Sequence, residues 1–250
     1  MILPKKKIPL GTPEKVHVWP YLVRLEFLCA IIVMIFLTVW SITIDAPLEE
    51  AANPAKTPNP SKAPWYFLGL QDILVYFDPW FAGVIAPTFI IVGLMLIPYL
   101  DVNPKGNGYY TYCERKLAIW VYAFGFLVLW IALIIMGVFL RGPGWNLFMP
   151  WEYWDPHKVM ALTNVDLSYA FGVRDYWMAF AFGGAVVLGY FAVGSAVYMF
   201  MERKAIKSVG ILRMLIKINL MLIMMGIVIK IVLRLAFNIK YVWVTPYFNI

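Results

Sequence analysis

Apolar residues run in five blocks long enough to cross a bilayer, which takes roughly 20 predominantly apolar residues. The first, Leu22–Ile44, is interrupted only by Arg24 and Glu26 at its entrance. The second, Phe81–Leu100, carries Pro87 and Pro98 near its ends, and the third, Leu117–Leu140, holds no charge. The fourth, Trp177–Met201, is rich in Gly, Ala and Ser, the small residues that let membrane helices approach closely. The fifth, Ile211–Phe237, bears Arg213, Lys217, Lys230 and Arg234 as i,i+4 pairs toward its two ends. Long basic side chains snorkel toward headgroups, so this block is read as a span; its rival is a helix packed on a partner subunit or lying at the interface. A shorter apolar stretch, Trp65–Phe77, has helical patterning, cannot span, and follows a proline-rich run ending at Pro64 that excludes helix. It is expected to lie along the membrane surface. The predicted fold class is an all-α membrane protein, with about five transmembrane helices plus a short outer-surface helix.

Composition turns that pattern into an exclusion. Hydrophobic residues make up 62%, charged residues 14%, and mean hydropathy is +0.75. Soluble domains are about half apolar and about a quarter charged, so lipid must cover much of this surface and a soluble enzyme is ruled out. The net charge of +7 is read by location, not as a nucleic-acid signal. With the N-terminus in the cytoplasm, twelve basic residues fall inside: Lys5–Lys7, Lys15, Arg24, Lys105, Arg115, Lys116, Arg203, Lys204, Lys207 and Arg213. Six fall outside: Lys56, Lys62, Arg141, Lys158, Arg174 and Lys240. Excess Lys and Arg mark the cytoplasmic side, so the segment 45–80 is expected outside. No cleavable signal peptide is expected in the Pro- and Lys-rich first twenty residues.

Cofactor chemistry is constrained by what the chain lacks. Cys29 and Cys113 are far apart, and no CxxC, CxxCH or Cys/His cluster occurs, which argues against structural zinc and attached c-type haem. Only two histidines exist, His17 and His157, in loops expected on opposite sides of the membrane. They cannot face each other across one b-type haem, so this chain alone is expected to hold no bis-His haem. Trp145, Trp151, Tyr153 and Trp154 read as an interfacial aromatic belt, and Glu202, Arg203 and Lys204 as a solvated inner loop.

The informative stretch is Asn53-Pro-Ala-Lys-Thr-Pro-Asn-Pro-Ser-Lys-Ala-Pro-Trp-Tyr-Phe-Leu-Gly-Leu-Gln-Asp72, followed after a gap by Leu96-Ile97-Pro98-Tyr99-Leu100-Asp101. Over roughly Leu22–Leu140 the chain resembles the C-terminal half of cytochrome b, the subunit IV-like family of cytochrome bc and bf complexes. That family places a Pro-rich lead-in before Pro-Glu-Trp-Tyr-Phe-Leu, then a span closing on Leu-Ile-Pro-x-Leu-Asp. The resemblance implies a quinol-oxidation site on the positive side, walled in part by Pro64, Trp65, Tyr66 and Phe67. It also implies partners: a cytochrome b N-terminal-type subunit carrying the haem b, a Rieske-type iron–sulfur protein and a c-type cytochrome. The assembly would be a dimeric complex of an energy-transducing, bacterial membrane, with quinone bound where this chain meets its partner.

One departure matters. The position aligned with the motif's Glu, the family's proton acceptor, is Pro64. A quinol that loses two electrons also releases two protons, and a carboxylate tuned toward neutrality can take them. Asp72 is the nearest acid downstream and, seven residues after Trp65, shares its helical face, so it is the candidate acceptor. Tyr66 is the candidate hydrogen-bond donor to the quinol oxygen. The organisation implied is a cytoplasmic segment 1–21, a three-helix region 22–140 with the loop 45–80, and two further helices in 141–250. The competing reading is a structural membrane anchor of a redox complex without its own quinone site. A small transporter is disfavoured because no charge lies mid-membrane in the first four spans.

Overall fold

The computed structural model describes residues 17–45, 51–101, 103, 105, 110–155, 157–158 and 163–250. Lys5–Lys7, Lys15, Glu49 and Glu50 lie outside the described residues. The chain divides into two compact units, Met1–Lys56 and Thr57–Ile250. In the first, helix α1 (Val23–Thr43) is preceded by a helical turn and presents an exposed apolar surface along its length. In a water-soluble protein such a surface would have to be covered; in lipid it is the solvent-facing one.

The second unit begins with α2 (Trp65–Ile73), a nine-residue helix that starts directly after Pro64. Pro64 sits in the extended conformation that a residue ahead of a helix adopts. Next come α3 (Phe81–Leu100) and α4 (Lys116–Leu140), which widens into π-type turns at Phe124–Trp130 and Met136–Leu140. After a loop and the short helix α5 (Leu167–Ala170) stands α6 (Tyr176–Met201), capped at its start by Asp175, whose Oδ2 accepts from the Met178 N–H at 3.0 Å. The short helix α7 (Arg203–Val209) and the long α8 (Ile211–Phe237) follow. Among the described residues, five helices, α1 included, are thus long and apolar enough to cross a membrane. The spans expected at Phe81–Leu100 and Ile211–Phe237 appear with those limits, and the other three shift by a few residues.

Two local features differ from the pattern-based expectation. Arg203 starts α7, so the charged stretch after α6 is helical and not an open loop; Gly210, at φ +92°, ends that helix and lets α8 begin in a new direction. A small parallel pair, β1 (Val165–Asp166) with β2 (Ile239–Tyr241), also joins the loop before α6 to the segment after α8. Neither strand has the length or alternation that a sequence pattern detects.

The small residues of α6 do allow close approach, partly to an unexpected neighbour. A Cβ on Gly194 would stand 2.7 Å from the Leu222 side chain of α8, but one on Gly183 would stand 2.6 Å from the Val242 carbonyl oxygen of the C-terminal tail. Tyr190 ties the same helix pair by donating its hydroxyl hydrogen to the Leu222 carbonyl at 2.8 Å.

The basic residues of α8 correct the picture of snorkelling side chains. Lys217, Lys230 and Arg234 are buried, and only Arg213 of the set is exposed. Arg234 donates to the carbonyls of Thr163 at 2.9 Å and Asn238 at 3.1 Å, and to Asn164 Oδ1 at 2.7 Å. Lys230 Nζ donates to the carbonyl of Lys240. Loop carbonyls left unpaired where a helix ends are a better destination for a guanidinium than lipid, because each buried carbonyl needs a donor in any case.

Candidate functional site

Helix α2 and the turn behind it are fixed by the end of α4. Leu68, Gly69, Asp72 and Ile73 form the buried face, and Tyr76 and Phe77 continue it into a core with Leu129, Leu133 and Ile227. This stripe at i, i+1, i+4 and i+5 is the helical period that burial imposes. The backbones come close at a glycine: a Cβ on Gly137 would lie 3.2 Å from the Leu68 Cβ and 3.3 Å from its carbonyl oxygen. The proline-rich lead-in is held as well. Gln71 bridges it, accepting from the Ala63 N–H at 2.8 Å and donating to the Ser61 carbonyl at 3.0 Å. Lys62 Nζ donates to the Val138 carbonyl at 2.8 Å, and Asn59 Oδ1 accepts from the Gly144 N–H at 2.8 Å.

Asp72 sits at the centre of this contact, with 0% of its surface exposed. Its Oδ1 accepts from Arg141 Nε at 2.6 Å, in a pair whose guanidinium is equally buried. The same guanidinium donates to the Tyr76 hydroxyl oxygen at 2.8 Å and to the Trp145 carbonyl at 3.1 Å. Each of its three nitrogens therefore has an acceptor, which the planar fork of Arg supplies and a Lys would not. Asp72 Oδ2 has no hydrogen-bond partner. Burial pushes the Asp72 carboxyl above its ordinary value, against the opposing charge and hydrogen bond of Arg141 and the hydroxyl of Tyr76. The Tyr76 hydroxyl is pushed up too, by burial first and the Asp72 charge second.

Trp65, Tyr66 and Phe67 stand apart from that cluster. They are 67%, 48% and 53% exposed, and Pro64 is exposed with them. Their rings contact one another: Trp65 meets Tyr66 edge-on at 5.7 Å between centroids, and Tyr66 meets Phe67 at 4.7 Å. Trp65 and Asp72 do share a helical face, but only Asp72 is buried on it. The structure therefore brings Pro64–Phe67 together as an exposed aromatic edge and separates them from the acid.

Arg141 and Tyr76 complete the buried cluster, and neither is marked by the sequence as more than a loop charge and an apolar-stretch aromatic. One signal was available for Arg141: it is the first residue after an uncharged 24-residue run, where a cation either meets water or finds an acid. Among the described residues, no three His, Cys, Asp or Glu side chains gather as a metal site. His17 and His157 are both exposed.

Residues 51–139 match the family model described as cytochrome b (C-terminal)/b6/petD. That stretch covers the proline-rich lead-in, α2, α3 and nearly all of α4. Over these residues the chain is similar to the cytochrome b C-terminal family. No solved structure matches the chain. Over that stretch the chain is thus similar to the subunit IV-like part of cytochrome b, and it carries helices long and apolar enough to cross a membrane. The family match ends at Phe139, two residues before Arg141, so the buried pair joins the cytochrome b-like region to the first residues beyond it.

Proposed function

We propose that the chain forms one wall of a quinol-oxidation site in a cytochrome bc-type complex. The observation that carries this reading is the exposed edge Pro64–Phe67, three aromatic rings held on a helix whose other end is locked in place. A quinol ring needs flat apolar walls and a few placed polar groups, and such groups work best on rigid elements. Trp65 and Phe67 supply the walls and Tyr66 the hydroxyl that hydrogen-bonds the quinol oxygen. A haem-bearing cytochrome b N-terminal-type subunit supplies the opposite wall and holds the haem b, with a Rieske-type protein and a c-type cytochrome completing the path. The loop faces the positive side, as the distribution of Lys and Arg argues.

Asp72 is the proposed proton acceptor. Its raised carboxyl and unpartnered Oδ2 support that role, since a base works best when its pKa approaches the operating pH. Its complete burial and its 2.6 Å pair with Arg141 favour a second reading, in which Asp72 fixes α2 and the proton leaves by another route.

The test uses the purified complex. Quinone should co-purify and be lost from Trp65→Ala and Tyr66→Phe forms that assemble normally; retention by both would leave the chain a structural anchor. With quinol oxidation measured against pH, an assembled Asp72→Asn complex should lose about 10²-fold in turnover and one acidic limb if the carboxylate takes the proton. An unchanged profile assigns Asp72 to the fixing role.

A further inference from the structure

The last helix of the membrane bundle lies beyond the cytochrome b-like stretch, and it reaches back to the turn that follows α2. Phe77, the last aromatic of that turn, is 3% exposed and has two partners. Its ring stacks on Phe81 at 4.1 Å between centroids and 13° between planes. Lys230 of α8 also stands over it, with Nζ 5.0 Å from the ring centroid, within cation–π range. Lys230 is itself buried, and its ammonium donates to the carbonyl of Lys240 just beyond the helix. The negative charge that acts on it is Asp78, the next residue of the same turn. Asp78 also lies against Tyr241 of β2, whose hydroxyl is pushed up to about 12, by burial first and by Asp78 after it. Ile227, one turn before Lys230, belongs to the core that holds Tyr76 and Phe77.

A lysine in this position has a reason beyond packing. An ammonium within a membrane-spanning helix is costly to bury and stays only where it meets a charge, a carbonyl or a ring face; here it contacts a ring face and a carbonyl and feels the charge of Asp78. Two of the three belong to the turn that carries α2. Resting on the quinol-site reading above, we propose that Lys230 is a positioning residue of that site: by holding Phe77, within the field of Asp78, it sets the pitch of α2 and hence where Trp65–Phe67 meet the quinol. The α6–α8 part of the chain then acts as a brace for the loop, a role that its own sequence does not announce. Small displacements of a binding wall weaken substrate binding before they alter the chemistry, so the effect belongs in KM.

The experiment measures steady-state oxidation of a short-chain quinol by the purified complex carrying Lys230→Met, Lys230→Arg or Tyr241→Phe, with Trp65→Ala as the reference. Lys230→Met should raise the quinol KM about tenfold with kcat within about twofold, the signature of lost ground-state binding. Lys230→Arg keeps the charge and should restore most of the affinity. Should Lys230→Met fail to assemble, Asp78→Asn and Tyr241→Phe, which keep side-chain shape, should each raise KM about two- to threefold. Assembled variants with the wild-type KM overturn the proposal. If Trp65→Ala raises KM while the Lys230 and Asp78 variants do not, only the brace is wrong; if none of them does, the quinol-site reading fails with it.

Discussion

The two ends of α2 differ more from each other than most separate helices do. Its first turn leaves Trp65, Tyr66 and Phe67 about half exposed or more, with rings in contact with one another. From Leu68 onward the helix buries Leu68, Asp72 and Ile73 to 3% exposure or less and fixes Asp72 through Arg141. Both ends come from one apolar nine-residue stretch. The difference lies in what stands opposite: α4 and Arg141 back the helix from Leu68 onward, while Trp65–Phe67 stay exposed. A short helix welded at one end and open at the other presents a fixed edge, which is what a shared binding pocket requires of each contributor.

The sharpest way to break this contrast is to remove half of the buried pair. Arg141→Met or Asp72→Leu alone leaves an uncompensated buried charge and should destabilise the Thr57–Ile250 unit by about 3–5 kcal/mol. The double variant Asp72→Leu/Arg141→Met should recover most of that loss. Denaturant unfolding of the purified protein in detergent, followed by proteolysis of the segment before α3, measures both. A double variant no better than the singles would show that the pair's hydrogen bonds to Tyr76 and Trp145 matter more than the charges.

The glycine contact comes next. Gly137→Val places a side chain within 3.3 Å of a backbone oxygen that cannot move alone, and overpacking of this kind costs about 1–3 kcal/mol. Gly69→Ala is the control, because its Cβ would meet only side-chain atoms of α4 at 3.5 Å or more, and it should be neutral or slightly stabilising. The same unfolding measurement should separate them clearly; equal losses would mean that α2 does not depend on close approach at Gly137.

A pH effect of similar or smaller size sharpens the comparison from the electrostatic side. Burial raises the Asp72 carboxyl, so the folded chain holds that proton more tightly than the unfolded chain, whose aspartate sits near 3.8. The unfolded state then binds fewer protons across the window above that value. Stability from this group is therefore fully present below it and falls as pH rises through the raised pKa. The slope is at most about 1.4 kcal/mol per pH unit, the equivalent of one proton. Asp72→Asn cannot titrate and should flatten this part of the stability profile.

The smallest stability effect belongs to the open end. Trp65→Ala removes a ring that packs on little else in the chain and should shift stability by no more than about 0.5 kcal/mol. It should nonetheless remove bound quinone from the complex. A large loss of stability would place Trp65 in the support and erase the distinction between the two ends.

Much of the architecture was legible from residue order. The limits of α3 and α8 follow from long, mostly apolar runs, and the start of α2 from Pro64, because chain length in a bilayer and the fixed φ of proline are local constraints. The motif Trp65-Tyr66-Phe67-Leu68 with Leu96–Asp101 was likewise enough to identify the cytochrome b C-terminal stretch. Asp72 stood out as an acid in an apolar stretch, but its partner did not. Arg141 lies 69 positions away, and nothing in either neighbourhood specifies the pairing. The same holds for Lys230, which reads as a snorkelling cation until Phe77, Asp78 and the Lys240 carbonyl are seen around it.

What the sequence determined by itself is therefore whatever solvent and backbone stereochemistry select locally: five helices of spanning length, one helix too short to span, and the turn between them. What only the tertiary structure decided is which buried charge meets which, and which turn of α2 is held while the other is left open. Those outcomes depend on the packing of segments distant in the chain. A buried ion is tolerated only where a partner from elsewhere arrives in register, so its role is fixed at the contact and not in the run of residues that carries it.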